Sequence, residues 1–226
     1  MGTDDFHKKK RKARSTRKKR VEQKAVLIAL EDTKSSKYYF QALLKDKKLT
    51  GQVIFAKHIG TDPEHVVQAI VQHERDNRDE KYEKRWVVID KDDWSKKQIN
   101  GAIQRAKNLK ICIAISNEAY ELWILLHFQT LTRYTQRAEL NSTLNSLFKE
   151  RFGIEYSKAS QDIYALTIGV QSEAIKNAKQ LVKTQIENHG KLDPCEQNPL
   201  TMIFELVEYL NALYANEKNN FDCFPN

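Results

Sequence analysis

Short runs of mostly apolar residues alternate with stretches of helical spacing through the first half of the chain. Each run ends at a polar or charged residue, as strands do when both faces of their sheet are covered. We predict four such strands, at residues 25–30, 53–59, 86–89 and 111–115.

The segments between these strands have the spacing of amphipathic helices, at residues 38–43, 65–75 and 96–108. Asp62 and Pro63 precede the second helix as an N-cap residue and a proline at the first helical position. A further segment, 118–128, is apolar around most of its circumference and is predicted to be a buried helix. Strands joined by single helices pair in parallel through right-handed crossovers. Residues 25–130 are therefore expected to form an α/β core with a mostly parallel sheet.

The C-terminal part of the chain, residues 131–226, has helical spacing and no convincing strand. Helices are predicted at 139–151, 171–188 and 200–216, with Asn198 and Pro199 as the capping pair of the last one. We expect this helical region to pack on the core. The seven glycines form neither G-x-G-x-x-G nor G-x-x-x-x-G-K, which argues against a dinucleotide site or an ATP-binding P-loop in this chain.

The net charge of +8 is concentrated in residues 1–24. This segment has eleven lysines and arginines against three acids, and the rest of the chain has 27 residues of each sign. Such a run has too few apolar groups to fold by itself, and its cations neutralise phosphates with release of counterions. We predict a flexible arm that binds nucleic acid through Lys8, Lys9, Lys10, Arg11, Lys12, Arg14, Arg17, Lys18, Lys19 and Arg20. A solubilising or partner-binding tail is the alternative.

Several classes of protein are excluded by composition. No apolar run approaches the roughly 18 residues of a membrane span, and no apolar segment follows the basic N-terminus as in a secretory signal. Cys112, Cys195 and Cys223 are odd in number and far apart, which excludes a disulfide framework or a cysteine zinc site. A reducing cytoplasm is the expected location.

Acidic residues follow two of the predicted strands. Glu31 comes directly after the first strand, and Asp90, Asp92 and Asp93 follow the third. Ligands of open parallel sheets collect at the carboxyl ends of the strands, so these acids are expected to meet there. Neighbouring carboxylates stay ionised only beside a compensating cation, and Mg²⁺ or Mn²⁺ suits such a set. Solvated turn residues are the alternative for the D-x-D fragment alone.

Three segments resemble the RloB-like family: LEDTKSSKYYF from Leu30, RWVVIDKDD from Arg85 and ISNEAYELWILLHF from Ile115. Two shorter matches follow, the Y-x-K at Tyr156 and the N-P-x-T at Asn198, so that the resemblance covers about residues 25–210. It implies a Toprim-type, Rossmann-like core and a role in bacterial restriction-linked or anti-phage defence.

The resemblance also implies roles for particular residues. Glu31 corresponds to the Toprim glutamate, a general base or metal ligand, and Asp90 and Asp92 correspond to the metal-binding pair, with Asp93 as a further ligand. The chain departs from the family pattern at Ser36, where an acid is usual, and at Glu118, which replaces a proline. Asp32 or Asp93 could compensate for the missing acid.

Asn117, Glu121, His127 and Lys158 are possible accessory residues, and the last three have two readings each. Asn117 and Glu121 belong to the third motif, and a buried Glu121 must either face the acidic cluster through a metal or pair with a lysine or arginine. His127 lies six residues beyond Glu121, about 120° around a helix, and is either a structural histidine or a general acid. Lys158 is either a phosphate contact or a solvated surface residue.

These observations lead to a first hypothesis of a Mg²⁺-dependent nuclease acting on RNA, such as tRNA, or on DNA. The family context implies control by a separate ABC-type or AAA-type ATPase, and the helical C-terminal region could serve a homodimer. A non-catalytic nucleic-acid-binding or scaffold subunit is the main alternative. A phosphotransferase or nucleotidyl-binding regulator that uses the same metal site is a third hypothesis.

Overall fold

The computed structural model describes residues 25–217 and Cys223, and the predicted basic arm of residues 1–24 lies outside them. The strands are β1 (Ala25–Leu30), β2 (Val53–Phe55), β3 (Tyr82–Asp90), β4 (Cys112–Asn117) and β5 (Leu200–Thr201). The helices are α1 (Ser35–Asp46), α2 (Pro63–Asp76), α3 (Lys96–Asn108), α4 (Glu121–Leu125), α5 (Arg137–Phe152), α6 (Ile163–Thr167), α7 (Gln171–His189) and α8 (Ile203–Tyr214), with a 3₁₀ turn at Ile168–Val170.

The five strands form one sheet in the order β2-β1-β3-β4-β5. β1 pairs in parallel with β2 and β3, β3 pairs in parallel with β4, and β5 pairs with β4 in the antiparallel direction. The predicted α/β class, with a mostly parallel sheet flanked by helices and a helical C-terminal part, is confirmed.

Burial follows the apolar runs that predict the strands. All residues of β4 are buried, as are five of the six residues of β1. One continuous hydrophobic core joins the sheet to the helices and includes both Trp86 of β3 and Trp123 of α4. The start of α2 is also as predicted, since Asp62 Oδ1 accepts a hydrogen bond from the backbone N–H of Glu64 at 2.8 Å and Pro63 is the first helical residue.

Several predicted elements have other bounds in the structure, where β3 begins at Tyr82 rather than at residue 86 and α1 extends over Ser35–Asp46 rather than 38–43. β2 ends at Phe55 rather than at residue 59, and the helix predicted at 118–128 is the shorter α4. The helix predicted from residue 200 begins at Ile203, because Leu200 and Thr201 pair with Asn117 and Ser116 as β5.

Asn198 does not cap that last helix. Its side-chain amide instead exchanges two hydrogen bonds with the backbone of Thr135, each of 3.1 Å. α8 begins after Met202 without a side-chain cap. Asn198 has a side chain that can cap a helix, but here it binds the backbone of a residue 63 positions away in the sequence.

Two remaining expectations concern cysteines and membranes. Cys112 and Cys223 are joined by a disulfide, a pairing that the sequence did not predict, and Cys195 is free and buried. No helix in the described part of the chain combines the length and apolar character of a bilayer span.

Candidate functional site

Five carboxylates line one cavity at the carboxyl edge of the sheet. The register places the ends of β1, β3 and β4 side by side, with Leu30 opposite Val88 and Asp90 opposite Ser116. Glu31, Asp90, Asp92, Glu121 and Asp32 line a cavity of about 420 Å³ at this edge. The first three are brought there from β1 and β3, as the strand pattern predicts, and α4 supplies the fourth.

Glu31 is held by two N–H donors from the β3 side of the cavity. Its Oε2 accepts a hydrogen bond from the backbone N–H of Asp90 at 2.7 Å, and its Oε1 accepts one from the indole N–H of Trp94 at 3.4 Å. Burial raises the pKa of Glu31 to about 7, because the loss of water outweighs the effect of these hydrogen bonds. A carboxyl group with such a pKa can gain or lose a proton near neutral pH.

Asp90, at the end of β3, lies among other acids and is largely shielded from water. Burial raises its pKa well above the usual range, and the negative charges of Glu31 and Glu121 raise it further. A hydrogen bond from the backbone N–H of Tyr120 and the positive charge of Arg137 act in the opposite direction. Burial and the neighbouring acids therefore disfavour the ionised form of Asp90, and a cation beside it favours that form.

Arg137, in the first turn of α5, lies between Asp90 and Asp92. Its Nη1 is 2.5 Å from Asp92 Oδ2, and its Nη2 is 3.4 Å from Asp90 Oδ2. The sequence reasoning did not single out this residue. One signal was present, since an arginine in the first turn of a helix opposes the helix dipole and so suggests a specific acidic partner.

Glu121 is a buried carboxylate with one oxygen paired and one oxygen unpaired. Its side chain is 1% exposed. Oε1 accepts a hydrogen bond from the Tyr156 hydroxyl at 3.3 Å and lies 3.1 Å from Lys158 Nζ. Oε2 is buried and finds no hydrogen-bond partner among the described residues. The pairing with a lysine, one of the two readings of Glu121, is thus observed, and the carboxylate also lines the acidic cavity.

Asp93 lies in the loop after β3 and does not line the main cavity. Lys91 N–H donates to Ser116 O at 2.7 Å and Asp92 N–H donates to Glu118 O at 2.9 Å, which fixes the loop against the end of β4. Asp92 has a φ of 39°, a left-handed conformation that Asp tolerates better than most residues. Asp93 is exposed and lines a second cavity together with Asp92, Glu118 and Arg137.

Asp92, Asp93 and Glu118 form a compact acidic group at this second cavity. Their ligand oxygens all lie within 4.8 Å of one another, and within residues 25–217 no other three acids are so closely spaced. Asp92 and Arg137 line both cavities and thus form the partition between them.

The carboxylates of the main cavity have the chemistry that a hard divalent cation prefers, although among the described residues no three of them bring their oxygens within 4.8 Å of one another. Carboxylate oxygens are the ligands that Mg²⁺ and Mn²⁺ prefer. The buried Oε2 of Glu121, which lacks a hydrogen-bond donor within the described chain, is an oxygen that such a cation would satisfy.

Basic side chains line the same cavity as the acids. Lys34, His58, Arg137 and Lys158 all contribute to its wall. His58 donates from Nε2 to the backbone carbonyl of Glu31 at 2.9 Å, which places its ring beside the acid. Acids together with several cations in one cavity suit a ligand that carries phosphate.

Asp32, one of the two residues expected to compensate for the acid missing at Ser36, also lines the main cavity. Its Oδ1 accepts from Lys34 N–H at 2.6 Å and its Oδ2 accepts from Ser36 N–H at 3.0 Å, so that both oxygens serve the start of α1. Ser36 is buried, and its hydroxyl finds no hydrogen-bond partner among the described residues.

His127 and Asn117 lie away from the cavity. His127 Nδ1 donates to Trp123 O at 2.9 Å, its Nε2 is 3.5 Å from the Tyr39 hydroxyl, and burial lowers its pKa to about 4. The neutral ring is thus part of the core. The Asn117 amide donates to Pro194 O at 2.9 Å and joins β4 to the segment before β5.

One family model, described as RloB-like protein, matches residues 26–210 of the chain. Neither a curated protein nor a solved structure matches it. The match covers every element from β1 to most of α8 and includes all five carboxylates of the main cavity.

Proposed function

Because the chain belongs to the RloB-like protein family, we propose that it is a Toprim-type, Mg²⁺-dependent endonuclease of anti-phage defence that hydrolyses phosphodiester bonds in RNA or DNA. The observation that carries this proposal is the cavity at the carboxyl edge of the sheet. Its wall combines Glu31, Asp90, Asp92 and Glu121 with the cations of Lys34, Arg137 and Lys158.

Asp90, Asp92 and Glu121 are the residues that would hold the divalent cation, with Glu31 as either a ligand or a base. When bound, Mg²⁺ or Mn²⁺ supplies Lewis-acid polarisation of a phosphate oxygen and lowers the pKa of water. The buried position of these carboxylates favours this use, because a cation offsets the cost of keeping them ionised.

Glu31 is the residue best suited to accept a proton from the attacking water. Burial raises its pKa to about 7, which is near the pH at which a general base is most effective. The N–H groups of Asp90 and Trp94 hold its two oxygens in fixed directions. The chain thus supplies an oriented base beside the proposed cation ligands.

Lys34 and Lys158 are proposed to bind the phosphate groups of the substrate. Lys158 is 42% exposed at its side chain and pairs with Glu121 at the cavity wall, so that its ammonium group can contact both an acid and an incoming anion. The predicted basic arm of residues 1–24 would add contacts to more distant phosphates.

A cleavage assay tests the proposal. Purified protein is incubated with tRNA, single-stranded RNA and DNA, and duplex DNA, in Mg²⁺, in Mn²⁺ and in EDTA. We expect cleavage with a divalent cation and none in EDTA. The Asp90→Asn variant should lose at least about 100-fold in rate, the usual scale for a lost catalytic group. Asp79→Asn, an exposed aspartate outside the cavity, is the matched control and should keep full activity.

A non-catalytic nucleic-acid-binding or scaffold subunit is the second candidate. Two observations favour it: Arg137 already neutralises the Asp90 and Asp92 pair, and Ser36 stands where the family has an acid. Binding to nucleic acid without cleavage, under every cation and with the partner ATPase present, would support this candidate against the nuclease.

We also propose that activity depends on a separate ATPase encoded with this chain. The chain itself contains no P-loop motif, which is compatible with a partner that senses infection. Phage resistance of cells that carry the wild-type locus should be lost when the chain carries Glu31→Ala. Unchanged resistance in that variant would contradict both the catalytic role of Glu31 and the defence role of the site.

A further inference from the structure

Arg137 contacts the same oxygen atoms that a cation shared by Asp90 and Asp92 would use. Each of its two terminal nitrogens faces an Oδ2 atom, one of Asp92 at 2.5 Å and one of Asp90 at 3.4 Å. A guanidinium group and a divalent cation at these oxygens would repel each other at close range. The guanidinium group and a divalent cation therefore cannot both bind these two oxygens closely.

The surroundings of Arg137 leave its side chain room to move. The side chain is 33% exposed and lines the cavities on both sides of the partition that it forms with Asp92. Its Nε is buried and has no hydrogen-bond partner among the described residues, so that the guanidinium is held by its two terminal nitrogens alone.

The backbone of Arg137 is anchored separately from its side chain. Arg137 N–H donates to Glu118 Oε2 at 2.8 Å, and the Glu118 carbonyl accepts from Asp92 N–H at 2.9 Å. The guanidinium can therefore leave the acids while the start of α5 stays attached to the loop that carries Asp92. Substitution of the side chain should likewise leave this attachment in place.

We propose that Arg137 is a displaceable counter-ion of Asp90 and Asp92. It balances the two carboxylates until a divalent cation takes its place, and the released guanidinium then turns to the cavity mouth, where it contacts a phosphate group. This inference rests on the proposed metal dependence. It adds a residue that sets the affinity for the cation and links cation binding to substrate binding.

Direct titration with Mn²⁺ tests the inference without an activity measurement. Free Mn²⁺ is measured by electron paramagnetic resonance in the presence of the full-length wild type, Arg137→Gln, Arg133→Gln and Asp90→Asn. Arg137→Gln removes the competing charge and should bind Mn²⁺ at least about tenfold more tightly, since charge-assisted hydrogen bonds are among the strong ones. Arg133→Gln removes an equal charge from an exposed arginine that pairs with Glu139, and its affinity should equal that of the wild type.

The outcomes separate this inference from the proposed function. Binding by the wild type that is lost in Asp90→Asn, with equal or weaker binding in Arg137→Gln, overturns the counter-ion role and leaves the metal site intact. Tighter binding in Arg137→Gln supports the role, also where the wild type binds too weakly to measure. No binding by either protein overturns the metal dependence together with the inference. Arg137→Lys keeps the charge and should bind Mn²⁺ with an affinity between those of the wild type and Arg137→Gln. This second substitution keeps the test valid if Arg137→Gln fails to fold.

Discussion

The replacement of Glu31 by glutamine removes one titrating group from the cavity and keeps the size of the side chain. In the folded chain burial raises the pKa of Glu31 from 4.5 to about 7. The folded chain therefore keeps a proton on Glu31 at pH values where the unfolded chain has lost it. The free energy of unfolding of the wild type should fall as the pH rises through this window, because the folded state binds more protons there.

The expected magnitude follows from the width of that window. One pH unit corresponds to about 1.4 kcal/mol for a group protonated in only one of the two states. Between 4.5 and about 7 the wild type should thus lose about 3 kcal/mol of stability through Glu31. Glu31→Gln should lose none of it. Removal of the Glu31 charge also lowers the pKa of Asp90, which makes the variant less pH-dependent still.

Urea unfolding of both proteins in EDTA, from about pH 4.5 to about pH 8, measures this difference. The curves should nearly coincide at the acidic end and diverge by about 3 kcal/mol at the alkaline end, with the variant more stable. Saturating Mg²⁺ should close the gap, since a cation stabilises the ionised carboxylate. Parallel curves in EDTA would refute the reasoning, because they would show that Glu31 does not hold its proton at neutral pH.

Glu205 provides the control for this experiment. Burial raises its pKa to about 7, and the charge of Glu208 adds to the effect. Glu205 lies on α8 and does not line the cavity. Glu205→Gln should therefore reduce the pH dependence by a similar amount in EDTA, and the reduction should be the same in Mg²⁺.

Three further predictions concern other contacts. Lys158→Met leaves the buried Glu121 carboxylate with one polar contact fewer and should destabilise the chain by about 1–3 kcal/mol in urea unfolding. The double variant with Glu121→Gln should recover part of this loss. If the two substitutions have additive effects on stability, Lys158 and Glu121 are not coupled. Deletion of residues 1–24 should weaken nucleic-acid binding and flatten its salt dependence, measured by fluorescence anisotropy, whereas an unchanged slope would mean that the arm does not contact phosphate. Trp94→Phe removes the indole donor to Glu31 Oε1, so the pKa of Glu31 should rise. The acidic limb of the pH–activity profile should then move to higher pH. If this limb stays in place, Glu31 is not the general base.

The fold was largely predictable because its signals are local. The apolar runs of β1 and β4 are buried on both faces and are flanked by helices with clear spacing, so that the period alone indicates a parallel sheet. Asp62 and Pro63 start α2 through contacts within two residues. β5 could not be predicted in this way, because two residues become a strand only through pairing with Ser116 and Asn117.

The sequence predicts only those residues of the candidate site that lie at the ends of strands. Glu31, Asp90 and Asp92 meet because β1 and β3 are neighbours in the sheet, an adjacency that the sequence analysis assumed and the structure supplies. Arg137 was missed, since its contact with Asp92 joins residues 45 positions apart and depends on where α5 begins. Glu118 was read as a departure from a motif, yet its carboxylate and carbonyl hold the loop beside the cavity.

The antiparallel pairing of β5 with β4 has a consequence for any attempt to isolate the α/β half of the chain. Ser116 Oγ and Thr201 Oγ1 lie 2.8 Å apart, and Met202 N–H donates to Ile115 O at 2.8 Å. A truncated chain that stops at residue 130 would expose the edge of β4, with its backbone donors and acceptors free to recruit another strand. Such a fragment should aggregate, and its failure to behave as a soluble unit would say nothing about the chemistry of the acids.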